Sequence, residues 1–157
     1  AKSGACRLEP NDLAQVVEAA VLLIESMAKK QGVQVVKNLA PTPHFLIDPY
    51  ILQGGLYNLL TNAIESMTNG GILTIESIVT TKEVELLIRD TGSGIEESLL
   101  PQIGQPFLST KEKGTGLGVY ISKQILEQHN AKMEWVSKKG TGTTISIIFP
   151  LGESPKG

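Results

Sequence analysis

The sequence predicts an α+β fold, a two-layer α/β sandwich. A mixed, mostly antiparallel sheet of five to seven strands should carry about three helices on one face. Three observations lead there. Three segments repeat apolar residues at helical spacing. Runs of β-forming residues are interspersed with them and often follow one another directly, so neighbouring strands can pair as hairpins. The 157-residue length suits one domain around one core, expected over about residues 8–150 of a single unit spanning 1–157.

The elements follow in chain order. "ACRLE", residues 5–9, reads as a short edge strand. "EPNDLAQVVEAAVLLIESMAKK" reads as a helix started by Asn11 or Asp12, with Val16, Ala20, Leu23 and Met27 at helical spacing. Gly32 stops it. "VQVVKNL" and "HFLID" are strands separated by the stiff "APTP" turn. Asp48 caps a second helix, Pro49 opens it, and it runs through "YILQGGLYNLLTNAIESM" to a "TNGG" turn. "ILTIESIVT" and "KEVELLIRD" form a hairpin. Residues 91–116 are rich in Gly, Pro, Ser and Thr and read as a long functional loop. "LGVYISKQILEQHN" is a third helix, and "AKMEWVS" and "GTTISIIFP" are closing strands around a "KKGTG" turn.

Composition narrows the function. Hydrophobic residues make up 41% and charged residues 19%, an ordinary globular balance. A net charge of −2 gives no general pull toward nucleic acid or an anionic membrane, so any polyanion must be held by a local site. Cys6 is the single cysteine, which rules out an internal disulfide and points to a reducing compartment. No run of 18 apolar residues and no signal-peptide pattern is present. The chain starts without Met and is expected to be a piece of a longer protein, whose membrane attachment stays open.

Four stretches carry possible chemistry. In "NLLTNAIESM", Asn58 and Asn62 lie one turn apart on one helix face, continued by Glu65, with Leu56, Leu59, Leu60, Ala63 and Met67 opposite. Asn is about 0.6 kcal/mol worse than Ala in a helix, and Gly54 and Gly55 near that face are worse by about 1 kcal/mol each. Alone this is a solvated polar face; the alternative is a face offering carbonyl oxygens to a hard cation. In "DTGSGI", Asp90 ends a strand with an acceptor-only carboxylate, and Gly92 and Gly94 let the chain turn sharply against a flat ligand. A capped turn is the plainer reading. In "KEKGTGLGVYISK", Gly114, Gly116 and Gly118 lead into a helix whose first N–H groups suit phosphate, flanked by Lys111 and Lys113; a flexible loop and cap would look similar. In "KKGTGTTISIIFP", Thr143 starts a strand after a glycine turn. The P-loop pattern is absent, and neither glycine group has the strand–glycine–helix order of a dinucleotide fingerprint.

Taken together and in this order, the four stretches closely resemble the catalytic and ATP-binding domain of sensor histidine kinases. That domain belongs to a wider ATPase/kinase group with gyrase, heat-shock chaperones and mismatch-repair ATPases (the GHKL superfamily, with its Bergerat-type fold). "NLLTNA" matches the family's N box, "DTGSGI" its G1 box, "PFLSTK" its F box, "GTGLG" its G2 box and "GTGTT" its last glycine motif. The resemblance runs from about Leu8 to Pro150, and "NAIESMTNGG" is similar to kinases of the sporulation and nitrogen-regulation type. It implies ATP and Mg²⁺ as ligands. Asn62 would ligate the metal with Asn58 in support; with Lys111, these are the residues it implies for catalysis. Asp90 would accept the adenine amine, with Thr143 sharing a nearby water. Gly92 and Gly94 would bring the backbone under the base beside Ile95. Phe107 would anchor a mobile ATP lid over roughly 96–115, and Thr110 and Lys111 would approach the phosphates. Gly114, Thr115, Gly116, Leu117 and Gly118 would meet the phosphates through backbone N–H groups.

The resemblance implies transfer of the γ-phosphoryl group to a histidine on a separate helical domain, which also makes the homodimer, and relay to a response-regulator receiver domain. It implies a cytoplasmic location and no direct contact of this segment with nucleic acid or membrane. His44 and His129 lack the His-acid pair of a phosphoacceptor and read as structural or surface residues, so the isolated domain should not phosphorylate itself. Hydrolysing members of the group carry Glu where this chain has Asn58, and an amide cannot take a proton from water. Leu108 replaces the second aromatic residue of the F box, and the resemblance does not account for Gly54 and Gly55. The competing readings are a Ser/Thr kinase of the anti-sigma-factor kind and a non-catalytic nucleotide-binding regulator.

Overall fold

The computed structural model describes residues 6–95, 97–102 and 117–152. Five strands form the main sheet: β2 (Val33–Asn38), β4 (Gly71–Val79), β5 (Glu83–Asp90), β6 (Lys132–Lys138) and β7 (Gly142–Pro150). Their order is β2-β4-β5-β7-β6. Only β2 and β4 are parallel; the other three pairings are antiparallel. The parallel pair needs a long crossover, and β3 (Phe45–Ile47) and α2 (Pro49–Glu65) supply it. The predicted mixed, mostly antiparallel sheet is therefore present at the low end of the expected strand count.

Strand alternation decides which face is dry. Leu73, Ile75, Val84, Leu86, Ile88, Ile145, Ile147 and Phe149 point inward and are buried. Against them lie α1 (Leu13–Gln31), α2 and α3 (Leu117–Gln128), with α2 packed between the other two. Phe149 meets Phe45 with ring centroids 5.6 Å apart and planes tilted by 59°, a favourable aromatic geometry.

Several sequence expectations shift. The first strand is β1 (Glu9–Asn11), not 5–9, and it pairs with β3 in a separate two-stranded sheet. α1 starts as expected at an Asp12 cap, whose side chain accepts from the Ala14 N–H at 3.0 Å. It ends on Gly32 at φ 76°. Its buried stripe is Leu13, Val16, Val17, Ala20, Val21, Ile24 and Ala28, so the face is rotated from the expected one and Leu23 is exposed. The long loop includes a 3₁₀ helix, Glu97–Gln102, which packs beside β6. The Pro101 inside it removes a backbone donor, so the segment carries little helical periodicity.

Asp48 fixes the start of α2 as expected. One carboxylate oxygen accepts from the Tyr50 and Ile51 N–H groups, both at 3.1 Å, and the other from the Arg7 N–H at 2.9 Å. The Asp48 N–H donates to His129 Nε2 at 3.0 Å, while His129 Nδ1 lies 2.8 Å from the Ile125 carbonyl. His129 is thus a buried structural residue joining the end of α3 to the cap of α2, and His44 is exposed. Burial alone would raise the Asp48 carboxyl, but the N–H groups of Arg7, Ile51 and Tyr50 outweigh it and hold it below the ordinary carboxylate range. A carboxyl held lower in the folded chain stabilises it fully above the unfolded value of about 3.9 and loses that contribution as pH falls through the folded one. Asp48→Ala is expected to lower the unfolding free energy by about 1–2 kcal/mol at neutral pH, with the gap to wild type narrowing in acid. Urea titrations at several pH values check this, and a pH-independent gap would contradict the role given to the charge.

Candidate functional site

The site is built where three strand ends and two helices meet. Asp90 is the last residue of β5 and sits opposite Thr143, near the start of β7. Its Oδ1 accepts from the Gly92 N–H at 2.9 Å, folding the next two residues back over the strand end. Burial pushes the Asp90 carboxyl above its ordinary value, opposed by the Gly92 and Thr143 N–H groups and the Ser66 hydroxyl. Part of its bonding capacity is met by the protein, and the side chain stays half-buried.

The turn after Asp90 is clamped from both sides. The Ser93 N–H donates to the Ser66 carbonyl at 3.2 Å, and the Gly140 N–H donates to the Ser93 carbonyl at 2.6 Å. The Ile95 N–H donates to Ser137 Oγ at 2.7 Å. Ser137 Oγ also donates to the Gly142 carbonyl at 3.1 Å and lies 2.7 Å from Thr143 Oγ1. With the Ser137 proton on Gly142, the Thr143 hydroxyl donates to Ser137 and keeps only acceptor capacity for anything else. The two glycines have immediate steric reasons. A Cβ on Gly92 would strike the Ser66 hydroxyl. Gly94 has φ 73°, and a Cβ there would strike the Lys138 carbonyl.

α2 supplies the floor. Asn58, Asn62 and Ser66 are spaced by four residues along one edge of it, and all three are half-buried. The upper end of this edge meets the turn after Asp90, where the Ser66 carbonyl holds the Ser93 N–H while its hydroxyl donates to the Ala63 carbonyl at 2.7 Å. The lower end meets the first turn of α3: a Cβ on Gly118 would lie 3.8 Å from the Asn58 Cβ. The same edge explains one of the two unusual glycines. Gly55 is buried where α3 crosses, its carbonyl accepts from Ser122 Oγ at 2.8 Å, and a Cβ there would press on Ile125 at 3.3 Å. Gly54 faces open space, and nothing in the structure explains it.

The structure therefore brings together Asn58, Asn62, Asp90, Gly92, Gly94, Ile95, Gly118 and Thr143. Phe107, Thr110, Lys111, Gly114, Thr115 and Gly116 lie outside the described residues, as does the side chain of Leu117, whose backbone opens α3. Ser66, Ser122 and Ser137 were not singled out from sequence. Ser66 continues the four-residue spacing of the asparagines, and Ser122 interrupts the apolar stripe of α3, so both left a faint signal. Among the described residues no three His, Cys, Asp or Glu side chains group as metal ligands. A divalent ion here would instead take amide oxygens with waters and ligand phosphates; Mg²⁺ wants hard oxygen donors and keeps several waters, and the two asparagines can supply such oxygens.

Residues 47–153 match the family described as histidine kinase-, DNA gyrase B- and HSP90-like ATPases. The chain belongs to that family. This histidine-kinase-type ATPase domain is 33% identical over 153 residues to Sporulation kinase C of Bacillus subtilis, covering 96% of this chain and 36% of that protein. Sporulation kinase E of the same organism is 32% identical over 157 residues, covering 98% of this chain and 21% of the relative. The chain thus spans about a third or less of these relatives. Among solved structures, the catalytic domain of histidine kinase ThkA superposes with a TM-score of 0.81 at 25% identity, covering 92% of this chain and 96% of that one. Within this ATPase domain the turn at Gly94 leaves no room for a side chain, since its φ is 73° and a Cβ would strike the Lys138 carbonyl. Gly94→Ala is expected to destabilise the fold by about 1–3 kcal/mol, read as a lower denaturation midpoint. An unchanged midpoint would show that the turn relaxes away from Lys138.

Proposed function

We propose that this chain is the ATP-binding catalytic domain of a two-component sensor histidine kinase. It transfers the γ-phosphoryl group of ATP to a histidine on a separate helical domain, from which a response-regulator receiver takes it. The observation that carries the reading is one edge of α2: at its upper end the Ser66 carbonyl accepts from the Ser93 N–H of the turn after Asp90, and at its lower end Asn58 faces Gly118 in the first turn of α3. Such an edge has a carboxylate for a base amine at one end and the N-terminal N–H groups of a helix for phosphates at the other.

Each residue then has a task. Asp90 accepts the adenine amine, and Thr143 offers an acceptor beside it. Gly92 and Gly94 keep the turn clear of side chains at the base, and Ile95 adds apolar contact. Asn62, supported by Asn58, holds Mg²⁺. An ion held there would supply charge neutralisation at the phosphates. Backbone N–H groups of Gly114, Thr115, Gly116, Leu117 and Gly118 hold the phosphates, with Thr110 and Lys111 adding a hydroxyl and a charge. Phe107 anchors the lid. In the transfer, the bond from the γ-phosphorus to the bridging oxygen breaks and a bond to the imidazole nitrogen forms; ADP leaves and the imidazole loses its proton. Asn58 has no basic lone pair to activate water, which favours transfer over hydrolysis.

The parent supplies the dimerising acceptor helices, joined to this domain of about residues 8–150. Catalysis takes place in the cytoplasm, whether or not the parent is anchored. Among the described residues no helix is long and apolar enough to cross a membrane.

Two variants test the site. Asp90→Asn is expected to weaken adenosine binding about 10-fold or more, measured by calorimetry; equal affinity removes the base-reading role. In the wild type, binding needs the ionised carboxyl, so adenosine affinity should rise as pH climbs through the elevated Asp90 value and then level off. Ionising Asp90 acts against folding over the same pH interval, because its folded value is the higher one. Asn62→Ala should abolish the gain in ATP affinity that Mg²⁺ confers while leaving adenosine affinity intact. A preserved metal effect would refute the assignment.

A further inference from the structure

Among the described residues, α3 is fastened to α2 through the Ser122 hydroxyl. Ser122 is 0% exposed. Its hydroxyl donates to the Gly55 carbonyl of α2 at 2.8 Å and shares its proton with the Gly118 carbonyl of its own helix at 3.0 Å. A hydroxyl buried this deeply would be destabilising without those acceptors. Gly55 makes the approach possible, since even one methyl there would sit 3.3 Å from both Cδ1 and Cγ2 of Ile125.

The position of this fastening matters more than its strength. Gly118 lies one turn before Ser122 on α3, and Asn58 lies one turn after Gly55 on α2. Gly118 faces Asn58, with 3.8 Å between the Asn58 Cβ and the place a Gly118 Cβ would take. The helices therefore run in opposite directions here, and the bond at Ser122 lies one helical turn from the gap between the asparagine edge and the α3 N-terminus. Close-packed helices pass such offsets on without absorbing them.

We propose that Ser122 and Gly55 are a positioning pair. They set the separation between the metal-holding edge of α2 and the phosphate-holding N-terminus of α3, and so tune affinity for the metal–triphosphate part of the nucleotide without touching the base. The inference rests on the nucleotide-binding reading above. It predicts a split that a merely stabilising bond does not produce. Adenosine is read at Asp90, on the far side of the α2 edge, and is indifferent to the α2–α3 spacing. MgATP must bridge that spacing.

The experiment measures adenosine and MgATP affinities by calorimetry on the folded chain for wild type, Ser122→Ala, Gly55→Ala and the double variant Gly55→Ala/Ile125→Ala. Ser122→Ala and Gly55→Ala should each weaken MgATP about 5- to 10-fold while adenosine stays within about twofold. Trimming Ile125 should restore MgATP binding to Gly55→Ala by returning the space. If both single variants keep the wild-type ratio of the two affinities, or lower both affinities equally, the positioning role is wrong. If Ser122→Ala does not fold, the Gly55 and Ile125 variants decide alone, and failure of the double variant to recover counts against the proposal. A wild-type chain that binds neither ligand would overturn the nucleotide reading itself, a distinct result.

Discussion

The structure depends on α2 being buried along most of its circumference. Leu52, Leu56, Leu59, Leu60, Ala63 and Ile64 are all at most 2% exposed, and Gly55 is closed over by α3. At about 1.5–3 kcal/mol for each large apolar side chain removed from water, this is a substantial part of the folding free energy. A helix gripped that firmly can keep a narrow polar edge in fixed register with its surroundings. Asn58, Asn62 and Ser66 occupy that edge. Their weak helix propensity is tolerated because tertiary packing, and not local preference, holds the helix.

From that fixed edge the rest of the site is referenced. Ser66 positions the turn after β5 through its carbonyl and crowds Gly92 with its hydroxyl. The turn then reaches across to Ser137, Gly140 and Lys138 at the β6–β7 connection. Asp90 and Thr143 are placed by strand register, which cannot slip by one residue without turning the whole inner face of β5 outward. Two independent rulers, a helix repeat and a strand repeat, thus converge on the same carboxylate. In a chain with a net charge of only −2, this end of the fold is defined by geometry and not by overall charge.

Much of this was legible in the sequence because it rested on short-range rules. The Asp48 cap, the Gly32 stop, the β4–β5 hairpin and β7 from Gly142 to Pro150 all came from local patterning. The asparagine edge came from spacing of four. What the sequence hid depends on partners far away in the chain. The rotated face of α1 reflects packing against α2, which the helix repeat cannot report. β1 finds β3 across the whole length of α1. Gly55 looks like a defect until α3 arrives 67 residues later with Ser122. Gly92 and Gly94 were legible as necessary, but their close neighbours, the Ser66 hydroxyl and the Lys138 carbonyl, belong to other elements.

Two aspartates show how one side chain serves opposite ends. Asp48 and Asp90 are each partly or wholly withdrawn from water, and for both the largest influence is burial, which opposes charge. At Asp48, three backbone N–H groups are aimed at the two oxygens, and they reverse that influence, leaving a stable anion with its bonding capacity taken up. At Asp90 burial outweighs the opposing donors, and the carboxyl stays above its ordinary value. A carboxylate in that condition gains more from one additional donor than a saturated one does, because the new bond offsets a desolvation already incurred. The cap is a completed structural joint. The strand end keeps a carboxyl whose charge burial opposes.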